Sequence, residues 1–245
     1  MNKRNPIEDL AHLRHEFGEH GGVNMSIEAS STFTVIDPET MPELFAGRRG
    51  PDKGCYLYGR HFNPTVFNLG RQMAALEGTE AAYCTASGMA AIAGAILGVC
   101  DAGDEIVASN TVYGGTYALL HDFLPAKTRI RTTFVDITDL DAVSAAVTAR
   151  TKLLFAESVS NPTLRLANMP RLAEIAHGYG ARLLIDNTFS PLILRPAGVG
   201  ADIVVHSITK FISGASDIIA GAICGSEAFI GELMDLHSGP LMLLG

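Results

Sequence analysis

Lys210 stands in the stretch ADIVVHSITKFISGASDIIAGAIC (residues 201–224), most of which is apolar or small. Ile203–Val205 before it and Ile218–Cys224 after it read as buried strands, so the amine is expected to be buried as well. Burial disfavours the charged ammonium, and a neutral amine is a nucleophile that condenses with carbonyl groups. Other reactive side chains also follow predicted strands. Ser87, Gly88 and Met89 open an apolar helix after EAAYCT, and Tyr113 heads YGGTY after DEIVASN. Glu157 and Asn161 follow KLLFA, Asp186 closes ARLLI, and Ser207 and Thr209 precede Lys210. Each has an ordinary explanation when taken singly. Ser87 serves as a helix cap, Tyr113 as a packing residue, Asn161 as a polar turn and Asp186 as a cap.

The set is more informative than its members. A helix N-terminus with hydroxyls suits a phosphate. A carboxylate, an aromatic face and a lysine suit a cationic aromatic ring that carries an aldehyde. Those are the requirements of pyridoxal 5'-phosphate (PLP). Competing chemistries lack their motifs. There is no G-x-x-x-x-G-K-[ST] loop, and Gly198-Val199-Gly200 precedes a strand instead of following one. The histidines show no H-E-x-x-H pairing, with His206 reading as a packed strand residue, and neither SGM nor SGA is a G-x-S-x-G elbow.

The elements that must position these residues alternate. A first helix is expected from Pro6, capped by Asn5, with Ile7, Leu10, Leu13 and Phe17 inclined to one face. Residues 21–58 are irregular and read as an arm that needs something outside itself to pack against. From Pro64 onward, predicted helices (PTVFNLGRQMAALEG, SGMAAIAGAILGV, YGGTYALLHDFL, DLDAVSAAVT, PRLAEIAHGYG) alternate with short apolar strands. That order predicts an α/β fold with a mostly parallel sheet and ligands beyond the carboxyl ends of its strands.

Composition sets the bounds. The 245 residues are 47% apolar and 18% charged with a net charge of -8, which fits a globular domain and excludes nucleic acid as the main partner. The longest apolar run, Met89–Cys100, falls short of the roughly 20 residues a membrane helix needs, so no membrane partner is expected. The N-terminus has no apolar signal core, and the four cysteines are scattered, as in a cytoplasmic protein with reduced thiols.

In DIVVHSITKFISG, YLYGRHFNPTVFNLGRQMAALEG, ASGMAAI, YGGTY, ESVSNPT and LLIDNTFSP, the sequence resembles the Cys/Met-metabolism PLP-dependent (trans-sulfuration) enzymes. The resemblance runs through nearly the whole chain. It implies the type I PLP-dependent transferase (aspartate aminotransferase-like) fold, with helices on both faces of a mostly parallel sheet. It implies an arm at 1–60 that contributes to a neighbouring subunit's site and a PLP-binding large domain at 61–245, incomplete at its C-terminal end. It also implies a homotetramer built as a dimer of dimers. By position, Lys210 would hold the cofactor covalently, Asp186 would pair with its ring nitrogen, and Tyr113 would stack on the ring and act as acid/base. Ser87, Gly88, Met89, Ser207 and Thr209 would surround the phosphate, and Asn161 would lie near the ring oxygen. Tyr58 and Arg60 match a Tyr-x-Arg motif that reaches the neighbour's phosphate.

Two positions depart from the family pattern: Ala215, where His or Gln is usual, and Gly115, where many bacterial methionine γ-lyases carry cysteine. The family's chains are longer, with a second domain whose arginine binds the substrate carboxylate, so this chain is expected to be a fragment. Within the family, HEFGEHGGVNMSIEASSTFTV looks most like the methionine γ-lyase branch. That implies γ-elimination from a small sulfur amino acid. γ-Replacement or cystathionine cleavage is the alternative, and a non-catalytic cofactor-binding half-enzyme is the alternative of another class.

Overall fold

Seven short strands and the helices between them assemble into one sheet in the computed structural model, which describes residues 6–12, 21–35, 37–53 and 55–244. The strands are β1 (Ala81–Thr85), β2 (Glu105–Ser109), β3 (Arg131–Val135), β4 (Thr151–Glu157), β5 (Arg182–Asp186), β6 (Ile203–Ser207) and β7 (Gly221–Gly225). Their spatial order is β1-β7-β6-β5-β4-β2-β3. Only β7 opposes the rest, pairing antiparallel with both β1 and β6. The expected mostly parallel sheet is therefore observed.

The helices are α1 (Pro6–His12), α2 (Met41–Phe45), α3 (Pro64–Glu77), α4 (Gly88–Val99), α5 (Gly114–Ala118), α6 (Leu124–Thr128), α7 (Leu140–Ala146), α8 (Met169–Gly178), α9 (Glu227–Leu233) and α10 (Pro240–Leu244). Helices cover both faces, which is why the central strands read as unbroken apolar runs. In β4, Leu153 and Phe155 join one core with Ile92 and Ile96 of α4 and Leu233 of α9. Leu154 and Ala156 join the other, with Met73 of α3, Val143 of α7 and Leu172 of α8. Each of the larger side chains, Leu, Ile, Val, Met and Phe, contributes about 1.5–3 kcal/mol by leaving water.

The structure corrects the sequence reading at two places. The seventh strand starts at Gly221, not Ile218, and Ile218 and Ile219 are exposed. Its two partners end opposite Gly221, at Thr85 and Ser207, so no ladder is available further back. The helix expected over YGGTYALLHDFL is divided by a π turn at Leu119–Phe123. Pro125 follows at the second position of α6; it lacks an N–H and its ring crowds the preceding turn. The first helix is described only over Pro6–His12, so Asn5, Leu13 and Phe17 lie outside the described residues.

The expected reduced cysteines are free thiols. Burial pushes Cys84 and Cys100 up to about 12, which leaves them unreactive. Among the described residues no helix is long and apolar enough to cross a membrane.

Candidate active site at the strand ends

The parallel strands end along one edge, and the chain order reverses between β2 and β4, where open α/β sheets form their ligand crevice. Every strand-end residue singled out in the sequence lies along this edge.

The first part is the start of α4. Ser87 caps it, accepting the Ala90 N–H at 3.1 Å, while the Ala91 N–H reaches the Ser87 carbonyl at 3.1 Å. The Gly88 and Met89 N–H groups, in the first turn, have no intrahelical acceptor. Gly88 abuts the end of β6; a Cβ there would sit 2.6 Å from Ser207 Cβ. Gly221 lies so close to the Ser87 carbonyl that no side chain fits. Two glycines thus draw the helix start, the Ser207 hydroxyl and the head of β7 together. Unpaired N–H groups, a hydroxyl and the positive end of a twelve-residue helix are what a phosphate requires.

The second part is Asp186, buried at the end of β5. Its Oδ1 accepts the Thr188 N–H at 2.9 Å, and Thr188 Oγ1 accepts the Ser207 N–H at 2.7 Å, which ties β5 to β6. Burial raises its pKa, opposed by the Thr188 bonds and by His206. A carboxylate disfavoured by burial gains most from a cation placed against it.

Tyr113 stands at the head of α5, its ring half exposed and laid over Gly115, where a Cβ would meet ring atom Cε1 at 2.6 Å and Met89 Sδ at 3.3 Å. Tyr113 and Met89 therefore border the same space. Asn161 opens the loop after β4 and is also exposed.

Lys210 needs correction. It lies in the turn after β6, where its N–H reaches the Ser207 carbonyl at 3.1 Å, and its side chain is exposed, not buried. The apolar neighbours that suggested burial, Phe211, Ile218 and Ile219, are themselves exposed and border the rim without covering it. Thr209 commits its hydroxyl to Ala220, accepting from its N–H at 3.0 Å and donating to its carbonyl at 3.1 Å. Tyr58 and Arg60 are not brought into this group. The Arg60 guanidinium donates to the Met242 carbonyl of α10 and lies 5.7 Å from the Tyr58 ring centroid.

Sequence reasoning missed the polar layer under the edge. Glu77 Oε1 meets His206 Nε2 at 2.6 Å and accepts from Asn187 Nδ2 at 2.9 Å. Asn187 Oδ1 accepts from Ser190 Oγ at 2.8 Å, and Ser190 Oγ lies 2.9 Å from Ser158 Oγ. A signal was present. Glu77 continues the buried stripe Gly70, Met73, Ala74 at helical spacing, and a carboxylate on a core-facing stripe requires a partner.

A phosphate cradle, a buried carboxylate, an aromatic ring and an amine along one edge fit PLP. Comparison with known proteins agrees. The family model described as Cys/Met metabolism PLP-dependent enzyme matches residues 10–241. A methionine gamma-lyase of Arabidopsis thaliana is 61% identical over 241 residues, 98% of this chain and 55% of the relative. An L-methionine gamma-lyase of Pseudomonas putida is 38% identical over 96% of this chain and 61% of its own length. The chain thus spans little more than half the length of these curated relatives. A solved O-acetylhomoserine (thiol)-lyase of Campylobacter jejuni, which carries a pyridoxyl-lysine-phosphate, superposes with a TM-score of 0.86 at 28% identity, over 94% of this chain and 56% of that one.

Proposed function

The chain belongs to the Cys/Met metabolism PLP-dependent enzyme family, and from that premise we propose that the complete protein converts L-methionine and water into 2-oxobutanoate, methanethiol and ammonia. The observation that carries this reading is the 61% identity to a methionine gamma-lyase across 98% of the chain.

PLP, when bound, supplies an aldehyde that condenses with amines and a ring that withdraws electrons from the substrate Cα. The chain's residues do the rest. The Gly88 and Met89 N–H groups, with Ser87 and Ser207, would bind the phosphate at the start of α4, beside Thr209, whose own N–H and hydroxyl donate to the Ala220 carbonyl. Asp186 holds a proton on the ring nitrogen through a charge-assisted bond worth about 1.5–3 kcal/mol net. Asn161 orients the ring oxygen. Lys210 would hold the aldehyde and would serve as the base for the substrate Cα proton; its exposed position on the rim suits an amine that must meet substrate. Tyr113 would stack on the ring and would serve as the acid for the leaving sulfur. Tyr58 and Arg60, on the arm 1–60, reach the phosphate of a neighbouring copy, while residues 61–245 form the cofactor-binding domain in a dimer of dimers.

A γ-replacement enzyme would use the same residues and differ in which nucleophile gains entry, and the solved neighbour named as an O-acetylhomoserine (thiol)-lyase keeps that alternative open. Product analysis separates the two. The complete protein is to be given L-methionine, cystathionine, or O-acetylhomoserine with sulfide. Methanethiol and 2-oxobutanoate from L-methionine, at the highest kcat/KM of the three, are expected. Homocysteine from O-acetylhomoserine and sulfide, with no methanethiol from L-methionine, would overturn the proposal.

A further inference from the structure

Glu157 is a buried carboxylate to which the proposed chemistry gives no task. It closes β4, and the two oxygens of its side chain serve different segments. Oε1 accepts the Tyr113 N–H at 2.6 Å, and Oε2 accepts the Asn161 N–H at 3.2 Å. Tyr113 begins α5 after β2, and Asn161 lies in the loop after β4. One side chain thus spans the two strands between which the chain order reverses, and it holds the backbone of two strand-end residues on either side.

The surroundings make this an expensive place for a carboxylate. Asp186 lies directly across the β4–β5 register. Among the described residues no Lys, Arg or His forms an ion pair with Glu157. Burial pushes its pKa up to about 7, with the Asp186 charge adding to the rise and the two N–H bonds opposing it. Glutamine would be cheaper to bury but cannot do the same work. It has one acceptor oxygen, and its amide NH2 would face the second N–H, donor against donor. Aspartate is one methylene shorter and cannot reach both donors from the same backbone. The need for two acceptors at this span explains why the costly residue is here.

We infer that Glu157 is a positioning residue that fixes the backbones of Tyr113 and Asn161 relative to each other, so that the Tyr113 ring is presented over the strand-end site. This rests on the reading of Tyr113 given above, since the inference adds that Glu157 acts on the reaction through Tyr113 and does not touch substrate.

Hydrogen exchange on the cofactor-free complete protein tests the clamp without any reaction. Glu157→Gln is expected to speed exchange in the peptides that contain Tyr113 and Asn161 together, by about tenfold or more, as local opening becomes easier while the β5 peptide 182–186 stays protected. Glu157→Asp is expected to give the same paired increase, and it carries the test if the glutamine variant does not fold. Unchanged exchange in either peptide, or a uniform rise across the sheet, overturns the inference. In the loaded enzyme acting on L-methionine, Glu157→Gln should lower kcat about ten- to a hundredfold with KM changed less than threefold, as expected for a misplaced group. Added to Tyr113→Phe, it should cost nothing more, because both changes remove one contribution. A full multiplicative loss in the double variant also overturns it. If Tyr113→Phe alone keeps wild-type turnover, the proposed role of Tyr113 fails, and the exchange result still decides whether the clamp exists.

Discussion

Residues 21–60 and the strand-end edge both contain loops and turns, but they are held in different ways. Along the edge, Glu157, Ser158, Ser160, Asp186, Asn187 and Ser190 are all buried polar residues, and each has a hydrogen-bond partner within the chain. Among the described residues of 21–60 none is buried. That segment touches the rest through bonds such as the Glu28 N–H to Thr65 Oγ1 at 2.9 Å and the Arg60 guanidinium to the Met242 carbonyl. The difference teaches where each gets its geometry. The edge inherits a fixed geometry from the sheet beneath it. The arm has no core of its own, and most of an irregular segment's order must then come from what it is packed against.

The comparison breaks most plainly at Lys210, an exposed member of the edge. In the complete protein, Lys210→Ala is expected to lower turnover of L-methionine by about 10²–10⁴-fold or more while phosphate-dependent cofactor binding persists. Borohydride should fix PLP covalently to a peptide containing Lys210 in the wild type. Label on Lys127 or Lys152 instead would show that the edge does not carry the reactive amine.

Arg60 sharpens the comparison from the other side, because its proposed task lies on another copy. Arg60→Ala should weaken PLP binding about ten- to a hundredfold, the equivalent of one charge-assisted contact. Mixing Arg60→Ala with Lys210→Ala subunits should restore about a quarter of wild-type activity, since half of randomly paired dimers are hybrids and each hybrid has one intact site. Full activity of Arg60→Ala alone, with nothing gained on mixing, would leave Arg60 as the partner of Met242 that it is within this chain.

These two regions also mark what was legible in the sequence. The sheet and its edge were readable because apolar strands and amphipathic helices announce themselves by period, and because reactive residues follow strand ends. Asp186 and Ser87 fell at those ends as expected. Lys210 is exposed because the apolar run that follows it gives no cover at its start, where Ile218 and Ile219 face out with it. The Glu157 clamp was not legible, and the stripe that carries Glu77 signalled a partner without identifying it as His206. Both contacts join residues far apart in the chain, 44 positions for Tyr113 and Glu157 and 129 for Glu77 and His206, and only the strand order brings them together. Residues 21–58 gave little periodic signal, and among their described residues none is buried.

The smallest effect is expected where residues 21–60 meet the sheet domain, at Asn63, which does one job for each. Its Oδ1 caps α3, accepting the Thr65 N–H at 2.9 Å and the Val66 N–H at 3.4 Å. Its Nδ2 donates to the Glu28 carbonyl of the arm at 2.9 Å, and the Glu28 N–H returns to Thr65 Oγ1 at 2.9 Å. Two substitutions separate the jobs. Asn63→Ala removes both and should destabilise the protein by about 1 kcal/mol, the usual cost of a lost cap, measured by urea unfolding. Asn63→Asp keeps an acceptor as good for the cap and adds a charge the helix start favours, but it has no proton for Glu28. It should therefore leave global stability nearly unchanged while trypsin cuts the arm faster at Arg48 and Arg49, since cleavage in an exposed segment follows its local opening. An aspartate variant as destabilised as the alanine one, with arm cleavage at the wild-type rate, would mean that Glu28 is not what ties the arm to the sheet domain. Faster cleavage at unchanged stability would show that the arm opens without unfolding the sheet domain, and that the Glu28 contact is what holds it.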